Sequence, residues 1–286
     1  MISDITLGQF FPGDSLIHRL DPRTKILLAT IFIVCVFVAN NPLGFLTLIL
    51  SVLILVAISK ISFKVILKSI KPIVFILIFT ALLNVFMTKG EGEPLISFWI
   101  IKIYTEGIAR AIMMGLRVIT LIVGTSVLLT YTTSPIALTD GLESLLSPLK
   151  KINVPVHTFA MMMSIALRFI PTLVEETEKI MNAQKSRGAD FTTGNLAQRA
   201  KALIPILVPL FVSSFKRAEE LATAMECRCY RGDVNRTKLV KLEYRSEDII
   251  ILLIFALALA AMICISILPY NFVSSGILYD IMFFKV

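Results

Sequence analysis

The sequence predicts an all-α membrane protein with about five transmembrane helices and an added cytoplasmic or interfacial block of long amphipathic helices. Three observations lead there. The chain of 286 residues is 56% hydrophobic and 17% charged, with a mean hydropathy of +0.84. Soluble domains run about 45–50% apolar and about 25% charged. Five apolar runs approach the roughly 20 residues that a spanning helix needs. Between the fourth and the fifth lies a polar stretch in which apolar residues still recur at helical spacing.

The runs are Ile26–Ala39, Leu43–Ile58, Ile73–Met87, Gly107–Tyr131 and Ile249–Leu268. The first two are short, with only Asn40-Asn41-Pro42 between them. Extending them back to Thr24 and forward to Lys60 makes each long enough. One re-entrant segment is the competing reading, since Pro42 ends a helix easily.

Loop charges set the orientation. Arg19, Arg23 and Lys25 place the N-terminus in the cytoplasm, and the uncharged first loop belongs outside. Lys60, Lys64, Lys68 and Lys71 bring the next connection inside. Thr88–Glu106 sets Lys89 and Lys102 against Glu91, Glu93 and Glu106, which suits the outer face. Its Gly90-Glu91-Gly92-Glu93-Pro94 predicts a turn or small hairpin. The stretch up to Arg245 is then cytoplasmic; 16 of the 28 basic residues fall between Lys150 and Arg245, so the charge bias agrees. The last run leaves the C-terminus outside. Three regions follow: 1–133 with four spans, 134–245 with the coupling helices, and 246–286 with the last span and an outer tail.

Arg110 and Arg117 fall in the first half of the fourth run. Arg110 can snorkel to the interface. Arg117, seven residues on and on the same face, is expected to point into the bundle. No acidic residue in a neighbouring span can pair with it, which favours a structural role over an ion or substrate path.

Other classes are excluded by what the residues lack. The net charge of +8 sits beside apolar spans, as the positive-inside rule predicts, and does not mark a nucleic-acid surface. Cys35 and Cys264 lie within apolar runs and act as small hydrophobes. Cys227 and Cys229 lack the CxxC spacing of a metal or redox pair and read as two small residues around Arg228. The first 25 residues carry charges throughout and do not have the order of a signal peptide. A GxxxxGK[ST] phosphate loop, HExxH and GxSxG are all missing, and His18 and His157 are the two histidines, so no catalytic or metal site is expected. A stand-alone secondary transporter would need mid-span ionisable groups and inverted repeats, and neither is evident.

Within the polar block, Leu138, Leu142, Leu145 and Leu149 predict a short amphipathic helix from Ser134 to Lys151, broken by Asn153-Val154-Pro155. A long helix is predicted from Val156 to Arg187, striped by Phe159, Met162, Ala166, Phe169, Leu173 and Ile180, with Pro171 as a kink point and Gly188 just beyond its end. A third, from Leu196 to Cys229, repeats the plan with Phe211, Phe215, Ala218, Ala222 and Met225. Superposing Arg187 on Arg228, 41 residues later, aligns Glu178 with Glu219 and Ala183 with Ala224. Such stripes must be buried, either on each other or against a partner under the membrane. Met161-Met162-Met163 favours an adaptable contact surface. The helix dipole alone favours an arginine at a helix end. A guanidinium beside a small residue can also grip a carboxylate while a partner approaches closely.

The chain resembles, over nearly its whole length, the transmembrane T components of energy-coupling factor transporters, importers of the ATP-binding-cassette type. The resemblance rests on Gly13-Asp14-Ser15, on His18-Arg19-Leu20-Asp21-Pro22-Arg23-Thr24-Lys25, on Ala166-Leu167-Arg168-Phe169-Ile170-Pro171 and on Ala183-Gln184-Lys185-Ser186-Arg187-Gly188. It implies two coupling helices, each ending in an Ala-Arg-Gly-like motif whose arginine docks into one of two ATPase subunits. Carried over by position, these are Ser186, Arg187 and Gly188, then Cys227, Arg228 and Cys229. Serine stands for alanine in the first, and cysteines flank Arg228 in the second, where Arg231-Gly232 is an alternative match outside the helix register. The resemblance further implies that apolar helix faces, here Phe159, Met162, Met163, Phe169, Phe211 and Phe215, hold a membrane-embedded substrate-binding S component. It implies a non-catalytic subunit without cofactor, ATP being bound by the partners, in a prokaryotic plasma membrane. The cargo class is a vitamin or other micronutrient, set by the S component. A dedicated subunit for biotin, cobalt or nickel looks alike at this level.

Overall fold

Asp21-Pro22 opens the first long helix by local chemistry. The Asp21 carboxylate accepts the Arg23 N–H at 2.8 Å, and Pro22 takes the first helical position, where its missing N–H costs nothing. The computed structural model describes residues 10–39, 42–88, 96–98, 101–189, 191, 195–232 and 242–267. After a single turn, α1 (Leu16–Arg19), come the helices α2 (Pro22–Val38) and α3 (Pro42–Ser59). Next are α4 (Phe63–Ile70) and α5 (Val74–Met87), joined by a 3-10 turn over Lys71–Ile73 that contains Pro72. The third rod thus begins ten residues before its apolar run. Lys64, Lys68 and Lys71 share one helical face, so a helix is compatible with charges that read as loop.

A small antiparallel hairpin follows, β1 (Ile96–Phe98) with β2 (Ile101–Ile103), Phe98 facing Ile101 in register. Gly90–Pro94 lies outside the described residues. Then α6 (Thr105–Thr125) runs into a π-helical turn, Ser126–Tyr131. The helix α10 (Ser246–Ile267) completes this unit, which comprises Phe10–Ser134 and the chain from Leu242.

Helix α2 is the axis of the unit, packing on α6 and α10. Leu28, Val36 and Val127 are fully buried, and Phe32 is 2% exposed. Gly124 makes that packing possible: a Cβ there would sit 2.2 Å from the Phe32 ring. Close approach of this kind holds helices together in a bilayer, where lipid tails weaken the hydrophobic contrast. Arg117 does point into the bundle. Its Nη2 donates to the Ala39 carbonyl at 2.8 Å, at the end of α2, and its guanidinium lies 5.2 Å from the Phe45 ring centre. The charge offsets the negative end of a helix dipole and needs no carboxylate.

The second unit contains Pro135–Lys241. The predicted helix Ser134–Lys151 is two pieces, α7 (Pro135–Leu145) and a 3-10 turn, Ser147–Ile152. Pro148 has no N–H to continue the α ladder. Then come α8 (Val156–Ser186) and α9 (Leu196–Cys227). Glu143 Oε1 and His157 Nδ1, both buried, meet at 2.9 Å and tie α7 to α8. Asn195 and Gln198 form a reciprocal capping box that starts α9.

Among the described residues, three helices are long and apolar enough to cross a membrane: Phe63–Met87, Gly107–Tyr131 and Val156–Ser186; Gly44–Ser59 is apolar but shorter. The chain is an all-α membrane protein. Val156–Ser186 was expected on the cytoplasmic side; its first half has the composition of a span, and its second half carries Glu175, Glu176, Glu178, Lys179 and Lys185.

Candidate functional site

The two arginine segments finish α8 and α9 with the same backbone geometry. Arg187 caps α8 at φ −88°, and Gly188 turns left-handed at φ 87°. The Gly188 N–H then reaches Lys185 O at 2.9 Å and the Ala189 N–H reaches Gln184 O at 3.0 Å. Arg228 caps α9 at φ −91°, with Cys229 left-handed at φ 56°. The Cys229 N–H reaches Glu226 O at 2.8 Å, and the Tyr230 N–H reaches Met225 O at 3.1 Å. Both ends are Schellman closures, in which the two N–H groups past the helix satisfy carbonyls that it leaves open.

The missing glycine therefore changes the energy of the second end and not its shape. A side chain in the left-handed region costs about 1 kcal/mol more than glycine. Tyr230 compensates in part: its hydroxyl donates to Met161 Sδ at 3.1 Å and anchors the turn to α8. Ser186, Arg187, Gly188, Cys227, Arg228 and Cys229 are all exposed. Arg231-Gly232 lies past the turn, with Gly232 also left-handed at φ 73° and no helix ending on it.

Helices α8 and α9 run in opposite directions and are pinned about two-thirds of the way along each. Arg217 Nη2 donates to Glu176 Oε2 at 2.9 Å, and the Ser213 hydroxyl donates to Glu176 Oε1 at 2.5 Å. Glu176 and Arg217 are themselves 41 residues apart, the spacing of Arg187 and Arg228. Each terminal arginine thus lies eleven residues beyond its own helix's member of the pair, about 16 Å along the axis. The two guanidiniums end arms of equal length, at most roughly 33 Å apart along the helices.

The apolar residues singled out in sequence do not form one patch. Phe159, Met162 and Met163 are exposed on the first half of α8, whose neighbour Met161 contacts Tyr230. Phe211 and Phe215 are exposed on α9, the latter 72%, just before and after Ser213 at the contact. With Ile204, Val208 and Val212 they extend a stripe toward the start of α9. Phe169 is half-buried. Each helix thus has its own bare apolar stretch on the N-terminal side of the ion pair, more than a folded surface leaves open to water.

The N-terminal signature is a buried polar knot within the other unit. Lys25, 2% exposed, donates through Nζ to Thr132 O at 2.8 Å and His18 O at 3.2 Å. The π turn before Thr132 delivers that carbonyl, and the ammonium caps the negative end of α6 and its π extension. Asp248, 1% exposed, accepts from the backbone N–H groups of Asp21 at 2.9 Å and Arg245 at 2.8 Å. The Arg23 guanidinium lies 5.2 Å from the Tyr244 ring centre.

The family model for CbiQ, cobalt transport protein, matches residues 13–239. The energy-coupling factor transporter transmembrane protein EcfT of Clostridium kluyveri is 54% identical over 268 residues, covering 94% of this chain and 97% of its own length. The protein of the same name from Bacillus subtilis is 50% identical over 248 residues, covering 87% and 93%. The chain belongs to the EcfT family. It is a transmembrane component of an energy-coupling factor transporter.

For this EcfT-family chain, sequence reasoning placed both terminal arginines at helix ends. It missed Glu176, Ser213, Arg217 and Asp248. The superposition that aligned Glu178 with Glu219 also aligns Glu176 with Arg217, and that opposite-charge match was a usable signal. Asp248 announced itself only as an acid opening a long apolar run.

Proposed function

We propose that the chain is a non-catalytic coupler within a multi-subunit importer. Arg187 and Arg228 dock into two similar ATPase subunits, and the bare apolar stretches of α8 and α9 hold a membrane-embedded substrate-binding subunit. ATP is bound and hydrolysed by the partners, and this chain holds no cofactor. The observation that carries the reading is the pair of matched Schellman ends, each presenting an exposed arginine at the same distance from a central ion pair. Two identical or similar partners are met best by two like ends. When the ATPases close, they shift both arginines, and the Glu176–Arg217 contact converts that shift into a change in how α8 and α9 lie under the substrate-binding subunit.

The chain sits in a prokaryotic plasma membrane with its N-terminus in the cytoplasm, from the lysine and arginine bias of its loops. The cargo is a vitamin or other micronutrient chosen by the substrate-binding subunit. The names of the relatives favour a general energy-coupling module over a dedicated cobalt, nickel or biotin importer.

The test is replacement of Arg187 and Arg228 together by Glu, followed by affinity purification from native membranes. ATPase subunits co-purify with the wild-type chain and are lost from the double variant, along with uptake. Unchanged assembly and uptake would refute docking through these ends.

A further inference from the structure

A groove of about 590 Å³ opens between α1, α2, α3 and α10, in the other unit from the two arginine ends. Its floor is buried, with Leu28, Phe32, Leu48 and Leu128, and its rim is exposed, with Ile54, Ile58 and Ile254. It is therefore open sideways along apolar helices. The two hydroxyls in its wall have already given their protons to backbone carbonyls and can only accept. Thr47 Oγ1 donates to Gly44 O at 2.8 Å and Ser51 Oγ donates to Leu48 O at 2.7 Å. Left unfilled, an apolar groove of this size would forfeit packing contacts along its whole lining. Two acceptor oxygens are too few partners for the waters it would take. The occupant is apolar.

Its dimensions narrow the choice. Along α3 the lining runs from Thr47 to Ile58, about 16 Å, and along α10 from Ile251 to Ala261, about 15 Å. One leaflet of a hydrocarbon core about 30 Å thick is about 15 Å deep. A helix about 10 Å across would displace roughly 1,250 Å³ over that length, about twice what the groove holds. A single acyl chain is thinner than that.

The groove also has a basic, solvent-exposed end and an end whose one nearby cation is already held by backbone. Arg19, exposed, stands on α1 between the lining residues Leu16 and Leu20, and Lys60, exposed, follows two residues after the lining residue Ile58. At the same end Asp248 is buried and already held by the Asp21 and Arg245 N–H groups, so it does not cancel these charges. At the other end, the stretch from Cys35 to Thr47 has no charged residue, and the Arg117 guanidinium that reaches it is already bonded to the Ala39 carbonyl and set against the Phe45 ring.

We propose that the groove binds one acyl chain of an anionic phospholipid, whose phosphate headgroup meets Arg19 and Lys60. The lipid completes the wall between α3 and α10 in the leaflet on the basic side.

The transporter, purified with its co-purifying subunits and washed in detergent, is extracted and its phospholipid quantified by mass spectrometry. Stripped samples are then titrated with phosphatidylglycerol and with phosphatidylcholine. About one phosphatidylglycerol is retained per chain, preferred over phosphatidylcholine by about fivefold for each basic residue. Ser51→Phe with Ala258→Phe lowers retention at least about tenfold, because two rings displace several methylenes. Arg19→Gln with Lys60→Gln keeps a bound lipid and loses the headgroup preference. Thermal unfolding of each sample checks folding; should the double Phe variant not fold, Ala258→Leu alone must still weaken binding. Wild-type retention no higher than in the filled variant overturns the proposal, and so does equal affinity for the two lipids in the wild type. A changed subunit recovery with unchanged lipid would assign the groove to a protein partner instead and overturn it too.

Discussion

Removing the Glu176–Arg217 contact tests whether the two arginine arms act as one body. The pair is 2.9 Å apart, with side chains 22% and 39% exposed, and Ser213 supplies a second bond to the same carboxylate. Unit charges about 4 Å apart attract by about 4 kcal/mol at an effective dielectric of 20. Water reaches Arg217, and exposed pairs retain at most about 1 kcal/mol. A charge-assisted bond at a half-buried helix contact falls between, so a coupling of about 1–2 kcal/mol is expected. The experiment is a double-mutant cycle of Glu176→Gln, Arg217→Gln and both together, read by thermal unfolding of the purified transporter. A loss of that size lowers the midpoint by about 2–4 °C per kcal/mol for a chain of this size. The double variant should lose less than the sum of the singles by the coupling energy. Uptake and ATP hydrolysis are measured on the same samples in proteoliposomes. Hydrolysis should persist while transport per ATP falls, and Glu176→Arg with Arg217→Glu should recover part of it. Additivity within about 0.5 kcal/mol would remove the contact from the energetics. Unaltered transport per ATP, with the coupling demonstrably gone, would refute its role in transmission.

Three further outcomes follow from the backbone and the knot. Cys229→Gly should stabilise the chain by up to about 1 kcal/mol and Gly188→Ala destabilise it by about as much, since both residues sit at positive φ; thermal unfolding reads both, and ATPase co-purification should survive the first. Gly124→Ala should cost about 1–3 kcal/mol through its clash with Phe32, and Phe32→Leu should restore part of that loss in the same assay. Asp248→Ala strands the Asp21 and Arg245 N–H groups in a buried site, for a loss of about 2–4 kcal/mol, and Asp248→Asn, which keeps one acceptor oxygen, should lose less.

Among the described residues each of the five apolar runs lies almost wholly in helix, because an apolar stretch satisfies its backbone best within itself. What the sequence obscured were interactions whose partner is backbone. Arg117 was read as lacking a mate because only carboxylates were considered, and its mate is the Ala39 carbonyl. Lys25 looked like a flanking positive charge, yet it is buried on the Thr132 carbonyl, which a π turn presents. No periodicity announces such a turn. The prolines were informative in one direction only: Pro148 did break its helix, whereas Pro171, Pro205 and Pro209 lie inside α8 and α9. Gly188 was legible as a helix stop. Cys229 was not, because its left-handed turn is held by Tyr230 and Met161 and not by its own propensity.

The 41-residue offset explains why the midpoint needs opposite charges. If two copies of one helical pattern run in opposite directions about a common centre, equivalent positions face each other there. Like residues at that centre would set glutamate on glutamate or arginine on arginine, and like charges in contact repel. The repeat can close on itself only if one copy has changed sign at the contact. Residue 176 is Glu and residue 217 is Arg, while Glu178 and Glu219, two residues further along, keep the same identity. A pair formed merely by surface chance would have no reason to sit at the centre of the repeat. Its location therefore fixes the two arms at equal length, each ending in an arginine eleven residues beyond the contact.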